Sequence, residues 1–185
     1  GHKGLRGPQG IGGIVFTERM AGAVSPLIEG GTGSVSDSMT MPSFMPDRFE
    51  AGTLNLPGIY GLNAALSYLE EVDEKSLHKK EQQLTAAFIE GIKNNDALTL
   101  IGSDRVENRC PVVSITCESR DLSEIAFELD RDYGIMTRVG LHCAPVAHRT
   151  LGTYPNGTLR FSFGPDNTFE EIEETLKALT QIVKE

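Results

Sequence analysis

Short apolar runs alternate with longer helical patterns over the C-terminal part of the sequence, and this alternation limits the possible folds. Residues 98–101, 111–117 and 158–163 are rich in apolar and β-branched residues and are bounded by turn formers, which predicts strands. Residues 122–133 and 169–183 place apolar side chains at steps of three and four, which predicts helices with one buried face. Strands interleaved with helices predict an α/β or α+β domain.

Shorter signals complete this domain. Gly134 is a C-cap signal that ends the first of these helices, and residues 135–138 after it predict another strand. Residues 144–150 predict a helical turn, and Thr168 is a predicted N-cap of the last helix.

Glycine is concentrated at the other end of the chain, where 13 of the 20 glycines lie within the first 61 of 185 residues. Residues 14–16 are apolar and predict a short strand after this glycine-rich start. Residues 20–50 have no regular period, and a loop of about thirty residues exceeds an ordinary connection, so it is functional or ordered by something outside the chain. Residues 55–72 and 75–93 again carry helical patterns.

We therefore predict two domains. Residues 1–73 hold the glycine-rich start, a strand, the long loop and a helix, and residues 74–185 form a small α+β domain.

Charge and composition exclude several classes of partner. The chain has 26 acidic and 17 basic residues, a formal net charge of -9 and no cluster of Lys and Arg, which argues against nucleic-acid and anionic-membrane partners. No apolar run approaches the length of a membrane span. Three cysteines form no disulfide framework and no signal peptide opens the sequence, so the predicted compartment is the cytoplasm.

Three segments outside the cysteines contain residue types suited to binding or catalysis. Lys3 follows His2 in a glycine-dense segment, where an amine of lowered pKa could form a Schiff base, although the segment taken alone favours a solvated terminal lysine. Thr53 and Asn55 precede a predicted helix, where they suit either an anion or plain capping. Arg160 on a predicted strand suits a carboxylate or is an ordinary surface arginine.

Cys143 is the cysteine best placed for reaction. It follows Arg138 and His142 in a polar segment, where cationic neighbours would stabilise a thiolate. Cys110 and Cys117 border an apolar strand and are predicted to be buried. His142, Cys143 and His148 lack the paired cysteine spacing of metal sites, so we predict no metal.

Taken together, these segments resemble the cysteine desulfurases and their class V aminotransferase relatives, which are fold type I enzymes that use pyridoxal 5'-phosphate (PLP). The resemblance extends over practically the whole chain. It rests on five segments in register, which are residues 1–10, 30–34, 48–55, 138–145 and 158–162.

The resemblance implies a role for each candidate residue. Lys3 matches the lysine that holds PLP and later moves the α-proton of the substrate, with His2 beside the cofactor. Thr53 matches a residue that reaches the cofactor phosphate of the neighbouring subunit in a homodimer. The resemblance also implies that Cys143 takes sulfur as a persulfide and that Arg160 binds the substrate α-carboxylate, with Arg138 and His142 flanking the same site.

The implied reaction converts L-cysteine into L-alanine and passes sulfur to an enzyme persulfide and then to a possible acceptor protein. A selenocysteine lyase, another class V aminotransferase-type enzyme and a non-catalytic binding module are the alternatives. In the family, most cofactor contacts precede the lysine, and only two residues precede Lys3 here. We therefore expect the C-terminal part of a fold type I enzyme, with a remnant of the large domain in residues 1–73, that is inactive and holds no PLP by itself.

Overall fold

The computed structural model describes residues 1–184, which fall in two compact units. The first unit spans Gly1–Asp73 and the second starts at Glu74. Among the described residues 1–184, no helix has both the length and the apolar composition to cross a membrane.

The first unit has little regular structure apart from one long helix. It contains helix α1 (Glu18–Ala23), a single 3-10 turn (Asp47–Phe49) and helix α2 (Leu56–Glu71). Asn55 caps α2, because its side-chain oxygen accepts a hydrogen bond from the Gly58 amide at 3.1 Å. The α2 helix thus begins where the predicted helix does.

Two local expectations for the first unit need correction. Residues 14–16 do not form the predicted strand, because the first unit, described over residues 1–73, contains no other strand with which this run could pair. Val15 is 99% exposed. The short α1 helix was not expected, and it forms where the Thr17 hydroxyl accepts a hydrogen bond from the Met20 amide.

The second unit is a four-stranded antiparallel sheet with three long helices. Its elements are α3 (Glu74–Lys93), β1 (Leu98–Ile101), β2 (Val112–Cys117), α4 (Leu122–Tyr133), β3 (Arg138–Gly140), α5 (Pro145–Thr150), β4 (Thr158–Ser162) and α6 (Phe169–Ile182). The strand order is β1-β2-β4-β3, so the last strand in sequence lies between β2 and β3. The mixed α/β class expected from the sequence is confirmed.

The third strand lies farther along the chain than its apolar pattern predicts. Gly134 adopts φ 67°, and the Ile135 amide donates to the Leu129 carbonyl at 2.9 Å. This hydrogen bond keeps Ile135 in the C-terminal cap of α4, and residues 135–137 are not in the sheet. Strand β3 begins only at Arg138, where pairing with β4 starts.

The apolar core lies entirely in the second unit. Phe88 of α3 is fully buried. The centroid of its ring lies 4.7 Å from that of Phe161 and 5.1 Å from that of Phe163. Helix α6 packs on α3 through Leu176, which meets Gly91 so closely that a Cβ there would lie 2.9 Å from Leu176 Cγ. In the first unit, only Gly58 is buried.

Candidate functional site

The segment that carries Lys3 is a closed loop resting on α2. The Gly1 amine donates to the Ile11 carbonyl at 2.7 Å, and the Gly7 amide donates to the Gly1 carbonyl at 2.9 Å. A Cβ on Gly7 would lie 2.8 Å from Leu62 Cδ1 and 3.2 Å from the Gly1 carbonyl oxygen, so a side chain at this position would require Leu62 to move. The loop leaves both His2 and Lys3 exposed.

Thr53 lies in the segment that leads into α2, two residues before the N-cap. Its neighbour Gly52 has φ 83° and donates its amide to the Gly31 carbonyl at 2.7 Å. The Asn55 side-chain amide donates to the Gly10 carbonyl at 3.2 Å. Asn55 therefore joins the lysine loop to the segment with the exposed Thr53.

Cys143 lies on a left-handed turn between β3 and α5. His142 has φ 51° and Cys143 has φ 61°, a conformation that residues other than glycine rarely adopt. The Ala144 amide donates to the Leu141 carbonyl at 2.8 Å and closes the turn. As a result, Cys143 is exposed at the surface of the second unit.

A cationic group lies next to the thiol. An Nη atom of Arg138 lies 3.6 Å from Cys143 Sγ, within hydrogen-bonding distance for sulfur. Arg138 is the first residue of β3 and pairs with Arg160 of β4 in the antiparallel register. The Nε atom of Arg160 is buried and has no hydrogen-bond partner among residues 1–184. An anion is a suitable ligand here, because it can accept a hydrogen bond from this donor.

His142 completes this cluster. Its Nε2 atom lies 3.1 Å from the Thr158 hydroxyl, and its ring lies 5.6 Å from the His148 ring. Burial, followed by the positive charges of Arg160 and other neighbours, lowers the pKa of His142 below its usual value. The imidazole is therefore held neutral more readily than in water.

The structure thus brings together four of the predicted residues and adds two others. Arg138, His142, Cys143 and Arg160 lie around the β3–α5 turn and the facing strand β4, whereas His2, Lys3 and Thr53 belong to the first unit. Thr158 was not predicted as a site residue, and His148 was considered only as a metal ligand and rejected. Only the antiparallel register brings Thr158 beside the turn, and no local pattern signals it.

The prediction that the other two cysteines are buried is wrong. Cys110 is exposed because β2 begins two residues later, at Val112. Cys117 is half-buried as the last residue of β2, and its sulfur lies 3.3 Å from the Ser119 hydroxyl. Within residues 1–184, no three His, Cys, Asp or Glu side chains are grouped to hold a metal ion.

The first-unit residues have the chemistry that PLP requires. Lys3 offers an exposed amine, which is the functional group that forms a Schiff base with an aldehyde. Thr53 offers an exposed hydroxyl that suits a phosphate oxygen.

Comparison with known proteins identifies the family. The family described as Aminotransferase class-V matches residues 1–175. The chain belongs to the class V aminotransferase family.

Similar members of the class V aminotransferase family carry a more specific name. A protein from Mycobacterium leprae named probable cysteine desulfurase 2 is 36% identical over 177 residues, which cover 94% of this chain and 41% of that protein. The apo structure of a cysteine desulfurase from Thermococcus onnurineus NA1 matches with a TM-score of 0.90 and 34% identity over 99% of this chain. The match covers 45% of the Thermococcus chain.

A third match is the cysteine desulfurase CsdA (S-sulfonic acid) from Escherichia coli, with a TM-score of 0.84 and 27% identity over 97% of this chain and 44% of that chain. These matches confirm the resemblance inferred from the sequence. They also confirm the expected fold class, which is that of the PLP-dependent class V enzymes. The chain spans less than half the length of these relatives.

Proposed function

We propose that this chain forms the C-terminal part of a PLP-dependent cysteine desulfurase, in which Cys143 takes sulfur from L-cysteine and L-alanine is left. The observation that carries this proposal is the exposed Cys143 sulfur with the Arg138 guanidinium 3.6 Å away. The guanidinium places a positive charge and a hydrogen-bond donor beside the sulfur that would act as the nucleophile. Exposure leaves the sulfur open to a substrate and then to an acceptor.

Arg160 is proposed to bind the α-carboxylate of the substrate. Its Nε atom is buried without a partner in the described residues, and an unsatisfied buried donor costs about 1–3 kcal/mol. A carboxylate would supply the missing acceptor through a charge-assisted hydrogen bond. Arg138 lies opposite on β3 and adds positive charge to the same region. His142, whose pKa is lowered by burial, would add an uncharged ring beside both arginines.

The first unit is proposed to supply cofactor contacts. Lys3 would hold PLP through its amine and exchange a proton with the substrate α-carbon, with His2 next to it. Thr53 would bind a phosphate oxygen of the cofactor in a neighbouring subunit of a homodimer. When bound, PLP withdraws electrons from the α-carbon of an amino acid.

We further propose that the chain alone is inactive and binds no PLP. Two observations support this. The chain spans less than half the length of its relatives, and Gly58 is the only buried residue among the described residues 1–73 of the first unit. Mixing the chain with PLP should give no stoichiometric new absorption band and no borohydride-fixed adduct on Lys3. A stoichiometric adduct on Lys3 would refute this part of the proposal.

The desulfurase activity is tested with a matched pair of cysteine variants in the complete enzyme. Cys143→Ser should abolish L-alanine formation from L-cysteine, because serine cannot carry a persulfide. Cys110→Ser is the control, because this thiol is also exposed but has no role in the proposal. L-alanine formation that survives in Cys143→Ser would reject the desulfurase function. If Cys143→Ser no longer converts L-cysteine but still converts selenocysteine, the result would instead favour the selenocysteine lyase alternative.

A further inference from the structure

Thr158 of β4 contacts the residues that lead into Cys143 on the turn between β3 and α5. In the register of β3 and β4, Thr158 pairs with Gly140, the last residue of β3. Its side-chain hydroxyl lies 3.1 Å from the Nε2 atom of His142, the residue just before Cys143. One residue therefore contacts the turn through its backbone and through its side chain.

The turn needs such contacts to keep its shape. His142 and Cys143 are consecutive residues with positive φ, and neither is glycine. This backbone conformation is sparsely populated and persists only where surrounding contacts determine it. The hydrogen bond between Thr158 and His142 is a side-chain contact that reaches the turn from the sheet.

Thr158 is also well suited to hold a partner rigidly. It is 1% exposed, so its hydroxyl is shielded from water, and a buried hydroxyl requires a hydrogen-bond partner. His142 supplies that partner. Loss of the bond would leave both groups unsatisfied and would release the His142 ring.

We propose that Thr158 is a positioning residue, which fixes His142 and thereby holds the Cys143 sulfur beside the Arg138 guanidinium. The inference rests on the proposed function, because that function makes Cys143 the sulfur carrier. Thr158 acts through His142 and has no contact with substrate in this role.

The test measures how fast iodoacetamide alkylates each cysteine of the full chain, by mass spectrometry of peptides. The readout is the alkylation rate of Cys143 divided by that of Cys110, which is exposed and serves as the internal reference. Thr158→Val keeps the shape and removes the hydroxyl. We expect the ratio to fall about fivefold, because the reacting sulfur no longer lies beside the Arg138 guanidinium.

Two variants separate positioning from general damage. Thr158→Ser restores the hydroxyl and should bring the ratio back to within about twofold of the wild-type value. Thr85→Val is the matched control, because Thr85 is also 1% exposed and its hydroxyl donates within its own helix to the Glu81 carbonyl. This control should leave the ratio unchanged.

His142→Ala removes the other partner of the same hydrogen bond and carries the test if Thr158→Val does not fold. An unchanged ratio in a folded Thr158→Val chain, or in His142→Ala, would overturn the inference. Failure of Thr158→Ser to restore the ratio would overturn it too. None of these results bears on the Cys143→Ser assay of L-alanine formation, so the positioning role and the desulfurase function fail separately.

Discussion

Replacement of Gly157 by alanine should disrupt the pairing of β3 and β4. Gly157 has φ 78°, and a Cβ at this position would lie 2.7 Å from Gly140 Cα, with other backbone atoms of Gly140 also too close. The clash involves backbone, so no side-chain rotation relieves it. A left-handed conformation costs an alanine about 1–2 kcal/mol, and overpacking adds about 1–3 kcal/mol. We expect Gly157→Ala to lower the free energy of unfolding by about 2–5 kcal/mol.

Gly152 provides the matched control for this prediction. It has φ 72°, and a Cβ there would meet no atom within 4 Å. Gly152→Ala should therefore cost only the conformational part, about 1–2 kcal/mol. Urea unfolding followed by far-ultraviolet circular dichroism measures both variants. Equal losses in the two variants would refute the close approach of Gly157 to β3.

Three further predictions concern the core, a helix cap and a titrating group. Phe88→Ala should lower the free energy of unfolding by about 3–5 kcal/mol in urea titrations, whereas Phe127→Ala, at a position 61% exposed, should cost less than about 1 kcal/mol. Thr168→Ala should cost about 1 kcal/mol by removing the α6 capping box, and Thr168→Ser should cost much less in the same assay; equal losses would exclude a capping role. Burial, followed by the positive charge of Arg160, lowers the pKa of His142 below 6.5. The unfolded chain therefore binds a proton at His142 more readily than the folded chain does. As a result, the free energy of unfolding should decrease as pH falls below 6.5. NMR titration of the ring should give a midpoint below 6.5, and His142→Asn should remove this part of the pH dependence of unfolding; a midpoint at or above 6.5 would contradict the reasoning.

Sequence patterns predicted the elements whose stability depends on their own residues. The α3 and α6 helices follow from apolar side chains at helical spacing, and the α6 start follows from the capping signal of Thr168. The short α1 helix was missed because none of its six residues is buried, so it shows no apolar stripe. Its signal is limited to the Thr17 cap.

Features that depend on distant residues could not be read from local patterns. The start of β3 at Arg138 is set by pairing with β4, and local β-propensity placed the strand too early. Arg138 and Cys143 were predictable as neighbours because one short segment contains both. The contact of His142 with Thr158 joins residues 16 positions apart, and only the strand register creates it.

The concentration of buried apolar side chains in the second unit has a consequence for how the chain opens. Leu84, Ile125 and Leu179 are fully buried there, whereas Val15 and Leu27 in the first unit are at least 96% exposed. Local opening is least costly where few apolar contacts are lost. A protease that cuts transiently opened segments should therefore nick the first unit well before the second, and the surviving core should begin close to Glu74.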